Sequence, residues 1–297
     1  MKYWASGKLL ITAEYSILRG STGLSLPTKF GQHLETETTE SDLLHWKSKD
    51  EFGNVWFEAS IEKDFNCVQS SDLLASNNLI KILRTASNLN PGFNPFGINA
   101  TTTLDFNPDW GLGSSSTLVA LIAKWANVDA MQLFFKTSTG SGYDVATAMA
   151  NHPILYTLKE GKAEIQSATF NPPFKHSLFF LYLGKKQRSH REVLAFEKRR
   201  VSKPDLEKIS RLTQQIVDCK ELSLFEELIT EHEAITAAMV GQQTIKSQLF
   251  SDYGNAIKSL GAWGGDFVLL ACPSGDLNYF KTKGFHTILS WSEMFAV

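Results

Sequence analysis

The residues most suited to chemistry lie mid-sequence, in "PDWGLGSSSTLVALIAKW" from Pro108 to Trp125. Two glycines and four hydroxyl side chains precede an apolar stretch that carries no charge before Lys124. The first N–H groups of a helix have no intrahelical partner, and with the helix dipole they attract anions. Glycines allow close approach, and hydroxyl oxygens can bind Mg²⁺. This spacing predicts a phosphate-binding loop, with a tight turn capped by Ser114 as the alternative.

Two other glycine-rich segments could complete a site. "TGSGYDVATA", Thr139 to Ala148, puts Asp144 in the first turn of a predicted helix, where the dipole favours its ionised form. A carboxylate there can accept a proton, or it can simply cap the helix. "KSLGAWGGDFVLL", Lys258 to Leu270, predicts a second close-approach turn before a buried strand, or else an ordinary helix–strand connection.

Several common motifs are absent from the sequence. There is no GxxxxGK[ST] loop and no GxSxG elbow, and Gly111 and Gly113 lack the third glycine of GxGxxG. The segment "HEAIT", His232 to Thr236, lacks the second histidine of a zinc protease, so we expect it to be the solvated face of a helix.

Composition limits the kind of partner and compartment. Over 297 residues, 29 basic and 31 acidic side chains leave a formal net charge of -2, which supplies no broad positive field. We therefore expect a small-molecule partner, no nucleic acid and no membrane. The expected assembly is a monomer or homodimer. Three scattered cysteines and the lack of a signal-peptide pattern predict a cytoplasmic protein with reduced thiols, without disulfides or a zinc site.

The pattern along the chain predicts two domains, 1–172 and 173–297. Short strands dominate up to about Phe106, with "KLLITAEYSIL" as the first, and helices are predicted at about 77–87, 117–127, 130–136 and from Gly142. The paired prolines of "NPPFKH", 171–176, mark the boundary because proline neither continues a helix nor joins an inner ladder. Strands and amphipathic helices beyond it predict an α+β second domain.

Three motifs in order carry a resemblance to a known superfamily. "SGKLLITAEYSIL", "PDWGLGSSST" and "KSLGAWGGD" resemble the motifs of the GHMP small-molecule kinases, and "GSGYDVATA" is most similar to the phosphomevalonate kinase branch. The resemblance implies an α/β fold of two domains: an N-terminal mixed sheet with helices, and a C-terminal ferredoxin-like α+β domain. It also implies an active site in the cleft between them.

The resemblance further implies ATP, Mg²⁺ and a set of site residues. Asp144 would be the catalytic base, Lys8 would pair with it and with the reacting oxygens, and Ser115 would ligate Mg²⁺. For Lys8 the alternative is a solvated lysine at a strand end. The nucleotide phosphates would lie on Gly111, Leu112, Gly113, Ser114, Ser115, Ser116 and Thr117. Substrate contacts would come from Glu14, Ser141, Gly142, Tyr143, Arg188, Ser189, Gly264 and Gly265.

Two departures from the family pattern bear on the chemistry. Leu133 stands where some members carry a glutamate that serves as the second protein ligand of Mg²⁺. Trp263 stands where most members carry a small residue, so that its ring could reshape the acceptor pocket.

The basic run "GKKQRSHREV", 184–193, suits an anionic acceptor if it faces the cleft and is otherwise a solvated surface. The resulting hypothesis is an ATP-dependent kinase acting on mevalonate or phosphomevalonate. The alternatives are a diphosphomevalonate decarboxylase-like enzyme and a catalytically silent ligand-binding module.

Overall fold

The computed structural model describes residues 1–184, 193, 195–261, 263 and 266–296. Contacts divide the chain into two compact units. The first comprises Met1–Gly7, Phe30–Pro108 and Leu112–Asn151, and the second comprises Lys8–Lys29, Asp109–Gly111 and His152–Val297. These units are interleaved along the chain, and the expected domain boundary at 172–173 stays a prediction.

Strands of the first unit form a mixed sheet in the order β5-β4-β3-β6-β2, and β1 also pairs with β2. Their bounds are β1 Lys2–Leu10, β2 Gly23–Thr38, β3 Leu44–Lys49, β4 Val55–Ile61, β5 Cys67–Ser70 and β6 Ile98–Leu104. Strands β3 and β6 are parallel, whereas the pairs β2–β6, β3–β4 and β4–β5 are antiparallel. The first predicted strand was misplaced, because the strand ends at Leu10 and residues 16–19 form a short 3-10 helix instead.

Four helices of the first unit bury apolar faces in one core. They are α1 Leu73–Leu89, α2 Ser114–Ala126, α3 Ala130–Thr137 and α4 Tyr143–Met149. The predictions for α2 and α3 are confirmed to within a few residues. Helix α1 begins earlier than predicted because Asp72 caps it by accepting from the N–H groups of Leu74 and Ala75.

The second unit contains a hairpin and a four-stranded sheet. Residues 23–25 of β2 pair with β7 Ile154–Lys159, which pairs with β8 Lys162–Ser167. The four-stranded sheet is antiparallel throughout, in the order β10-β11-β9-β12. Its strands are β9 Leu178–Tyr182, β10 Ile257–Ser259, β11 Phe267–Ala271 and β12 Ile288–Ser290.

The described helices of this unit complete the predicted α+β composition. They are α5 Lys203–Asp218, α6 Leu222–Val240, α7 Ile245–Leu249, α8 Asn278–Thr282 and α9 Trp291–Met294. Helix α6 packs against α5 and against β10, so two of its faces are covered. In the described part of the chain, no helix has the length and apolarity needed to span a bilayer.

Candidate functional site

The glycine-serine loop leads into α2 at Gly113, which has a left-handed backbone conformation. Gly113 occupies the N-cap position at φ 92°, and no side chain caps the helix, so the alternative in which Ser114 is the cap is wrong. The Ser116 hydroxyl donates to the Gly113 carbonyl at 2.8 Å, and the Thr117 hydroxyl lies 2.7 Å from Gln32 Oε1. Ser115 is exposed, and its hydroxyl is therefore the one best placed to meet a ligand from solvent.

Asp144 lies in the first turn of α4, as the sequence predicts. Its Oδ1 accepts from the N–H of Val145 at 3.0 Å, and the side chain is half-buried. The N-cap is Gly142 at φ 81°, where an added Cβ would lie 2.8 Å from the Met131 methyl and 3.0 Å from the Phe134 ring. A side chain at this position would therefore displace the turn that carries Asp144.

The neighbours of Asp144 form the rest of this motif. Ser141 is buried beside Gly142, and Tyr143 is half-buried at the first position of α4. Helix α4 packs against α2, so the helix that bears Asp144 and the helix that begins at the glycine-serine loop belong to one packed layer.

Lys8, in the second unit, is almost fully buried. It is 9% exposed, and its Nζ donates to the carbonyl oxygen of Gly111 at 2.9 Å. The alternative of a solvated strand-end lysine is wrong. The structure therefore brings together one residue of the first motif and the first glycine of the second.

Gly111, whose carbonyl accepts from Lys8, is also packed closely against Asp266. It has φ 68°, and an added Cβ would overlap the carboxylate of the buried Asp266. Sequence reasoning did not identify Asp266, although it directly follows the paired glycines 264–265.

Aromatic residues support the same segment. The Tyr182 hydroxyl donates to the Asp109 carbonyl at 3.1 Å, and Trp110 meets Phe267 edge-on with ring centroids 5.7 Å apart. Burial raises the pKa of the Tyr182 hydroxyl, and the carboxylates of Asp109 and Asp266 raise it further. Residues 109–111 are therefore fixed by β9 and β11, which the sequence pattern did not indicate.

Glu14 is fully buried in the second unit. Its Oε1 accepts a hydrogen bond from Lys258, and His232 and Glu233 of α6 lie beside the pair. The expectation that the "HEAIT" segment is a solvated helix face is wrong, because His232 is 0% and Glu233 3% exposed. The predicted contact of Glu14 with an acceptor stays a prediction.

The other predicted positions divide into two groups. Leu133, which replaces the glutamate of some family members, is fully buried in the core on α3, and the Trp263 ring is 1% exposed. Arg188, Ser189, Gly264 and Gly265 lie outside the described residues, and so does most of the basic run 184–193.

The donor chemistry of the loop fits magnesium. No group of three or more His, Cys, Asp or Glu side chains in the described ranges is arranged to hold a metal ion. Mg²⁺ in phosphate-transfer sites is commonly bound by one or two protein oxygens together with the phosphates. The exposed Ser115 hydroxyl, on the first turn of α2, is a hard oxygen donor of that kind.

Comparisons with known proteins rest on structure alone, because no protein-family model and no curated protein matches the sequence. The Streptococcus pneumoniae phosphomevalonate kinase in complex with phosphomevalonate and AMPPNP is similar with a TM-score of 0.70 and 16% identity, over 96% of this chain and 95% of that chain. The Methanococcus jannaschii mevalonate kinase is similar with a TM-score of 0.70 and 13% identity, over 98% of both chains.

The Lactococcus lactis galactokinase complexed with galactose is similar with a TM-score of 0.70 and 11% identity, over 100% of this chain and 95% of that chain. At these identities the likeness shows the fold. The chain has the two-domain fold of the GHMP kinases, as the resemblance of its motifs implied.

Proposed function

We propose that this protein is an ATP-dependent small-molecule kinase. The observation that carries the proposal is the hydrogen bond from the Lys8 ammonium to the carbonyl of Gly111, at the start of the glycine-serine loop. A buried cation at that point suits the anionic phosphates of a nucleotide. The solved mevalonate, phosphomevalonate and galactose kinases with this fold support the same reaction class.

Phosphoryl transfer requires mainly alignment of donor and acceptor and neutralisation of charge on the transferring group. In the proposed reaction the N–H groups at the start of α2 bind phosphate oxygens, and Lys8 neutralises charge. Asp144 accepts the proton of the acceptor group. Bound Mg²⁺, with Ser115 as a ligand, would supply further charge neutralisation. A well-placed general base contributes about 10²- to 10⁴-fold in rate.

The proposed acceptor is a small anionic metabolite, mevalonate or phosphomevalonate. Support comes from the sequence of residues 184–193, which carries Lys185, Lys186, Arg188 and Arg191. Cationic side chains discriminate in favour of carboxylate and phosphate groups. The S. pneumoniae neighbour, which contains both phosphomevalonate and AMPPNP, supports an acceptor of this class.

Transfer of labelled γ-phosphate from ATP to mevalonate, phosphomevalonate, homoserine and galactose tests the proposal. We expect transfer to one of the mevalonate compounds and, with Asp144→Asn, little transfer to any. Release of carbon dioxide from diphosphomevalonate would identify the decarboxylase instead. Nucleotide binding without transfer to any acceptor would indicate a silent binding module, and faster transfer to galactose would overturn the anionic acceptor.

A further inference from the structure

Four ionisable side chains of the second unit form a buried cluster that the proposed chemistry does not use. Glu14, Lys258, His232 and Glu233 are at most 3% exposed. Lys258 donates to Glu14 Oε1 and, at 2.9 Å, to the carbonyl of Ser259. Glu233 accepts from the Ser259 N–H at 3.1 Å and from its hydroxyl at 2.8 Å. Each carboxylate therefore has its own donor.

The protonation state of His232 follows from its hydrogen bond. Nε2 accepts from the N–H of Ala13 at 2.9 Å, so this nitrogen carries no proton and the ring is neutral. The proton is on Nδ1, which lies 3.9 Å from Glu14 Oε2. Burial lowers the pKa of His232 well below its ordinary value, which agrees with a neutral ring.

The charges of the cluster do not balance without one more proton. Two carboxylates face one ammonium and a neutral imidazole, and an unpaired buried charge is strongly unfavourable. Glu14 Oε2 is buried and has no hydrogen-bond partner among the described residues, so it has room for that proton. Burial raises the pKa of Glu14 to about 7 and also raises that of Glu233. The proton is therefore exchangeable near neutral pH.

The cluster holds a strained turn. Ala13 has φ 68° and Tyr15 has φ 58°, values that non-glycine residues rarely adopt, and both flank Glu14. His232 fixes Ala13 from α6, and Lys258 fixes Glu14 from β10. The backbone of this turn is thus fixed by contacts from two other elements.

The same turn contacts two described residues of the second glycine-rich motif, Lys258 and Trp263. Lys258 at its start binds Glu14, and the N–H of Trp263 donates to the Tyr15 hydroxyl at 2.8 Å. The Trp263 indole N–H donates to the carbonyl of Gln243 at 3.2 Å. Among the described residues, the titratable groups that face Glu14 from other elements are Lys258, His232 and Glu233, and Tyr15 is its neighbour in the turn.

We propose that Glu14 and Tyr15 are positioning residues for Lys258 and Trp263, two described residues of the second glycine-rich motif, and that a buried cluster carrying one exchangeable proton supports this attachment. The effect on catalysis rests on the proposed function, because Lys258 and Trp263 belong to the third of the kinase-like motifs. The attachment itself does not depend on that function. Protonation keeps the cluster neutral and Lys258 and Trp263 attached to the turn, and loss of the proton leaves a buried negative charge that weakens this attachment.

Hydrogen–deuterium exchange of peptides covering 256–270, measured by mass spectrometry without substrate, tests the attachment. Glu14→Leu removes the acceptor of Lys258, and Tyr15→Phe removes that of Trp263. Each is expected to speed exchange in these peptides by about tenfold or more at equal pH, because a hydrogen bond that attaches Lys258 or Trp263 to the turn is lost. The control is Glu164→Gln in the exposed Lys159–Glu164 pair, which should leave exchange unchanged.

The Glu14→Gln variant distinguishes the hydrogen bond to Lys258 from the titration of Glu14. Its side chain keeps an oxygen that can accept from Lys258 but cannot ionise. After correction for intrinsic exchange, wild-type protection should fall by about tenfold from pH 6 to 8, as expected for one proton lost near pH 7. The Gln variant should not show this fall. A wild-type pH response in Glu14→Gln, or unchanged exchange in Tyr15→Phe, would overturn the inference; Tyr15→Phe decides the attachment if Glu14→Leu does not fold.

Kinetics supply a second readout that keeps the two proposals apart. In Glu14→Gln the kcat for phosphoryl transfer should lose its dependence on pH near 7, while the KM for ATP stays close to wild type. A wild-type protein that transfers no phosphate contradicts the proposed function and leaves the exchange result standing. Normal transfer together with unchanged exchange contradicts the positioning role alone.

Discussion

Replacing Gly111 by alanine tests the close contact between this glycine and Asp266. An alanine at φ 68° costs about 1–2 kcal/mol in backbone strain, as at any left-handed position. The new Cβ would also overlap three atoms of the buried Asp266 carboxyl group, and overpacking of this kind costs about 1–3 kcal/mol. Gly111→Ala should therefore lower the free energy of unfolding by about 2–5 kcal/mol.

The matched control is Gly53→Ala. Gly53 has φ 84° but nothing within 4 Å of an added Cβ, so only the strain of about 1–2 kcal/mol is expected. Combining Gly111→Ala with Asp266→Ala should remove the overlap, making the double variant more stable than the sum of the singles by about 1–3 kcal/mol. Urea denaturation followed by circular dichroism measures all four variants. Additivity within about 0.5 kcal/mol would refute the overlap.

Three other predictions concern charged groups. Glu14→Gln should flatten the dependence of stability on pH. Burial raises the pKa of Glu14 from 4.5 to about 7, so its stabilising contribution is complete below pH 4.5 and is lost as the pH rises through 7, a change of roughly 3 kcal/mol measured by urea denaturation. Asp144→Asn should lower kcat by about 10²-fold or more with ATP affinity nearly unchanged, whereas Asp129→Asn, at the cap of α3, should leave kcat unchanged. Lys8→Met should weaken ATP binding measured by calorimetry and lower kcat, because it removes the buried ammonium on Gly111; unchanged values would contradict its proposed role.

The sequence predicted helices α2 and α3 because the pattern of apolar residues that indicates a helix lies within each helix itself. The apolar run after the glycine-serine loop and the pattern from Ala130 correspond to α2 and α3. The first strand was misplaced because "KLLITAEYSIL" alternates as a strand would, whereas tertiary contacts hold its second half in a turn with two positive φ angles. Propensity gives no sign of such a turn.

The buried charges could not be predicted for a related reason. His232 and Glu233 look like a solvated pair, and their burial depends on Lys258 and Ala13, which are distant in sequence. The only local signal is the composition of α6, whose apolar residues lie on more than one side. Asp266 was missed because its partner Gly111 is likewise remote.

The strained turn at residues 13–15 limits which substitutions the sequence can accept during evolution. Position 13 has a left-handed backbone, which favours glycine by about 1–2 kcal/mol, yet it holds alanine. The Ala13 methyl lies 3.1 Å from where a Cβ on Gly23 would be, so a larger side chain at position 13 meets β2 and one at position 23 meets Ala13. Viable descendants should therefore exchange alanine only for glycine at position 13, while Glu14 beside it keeps its inward direction.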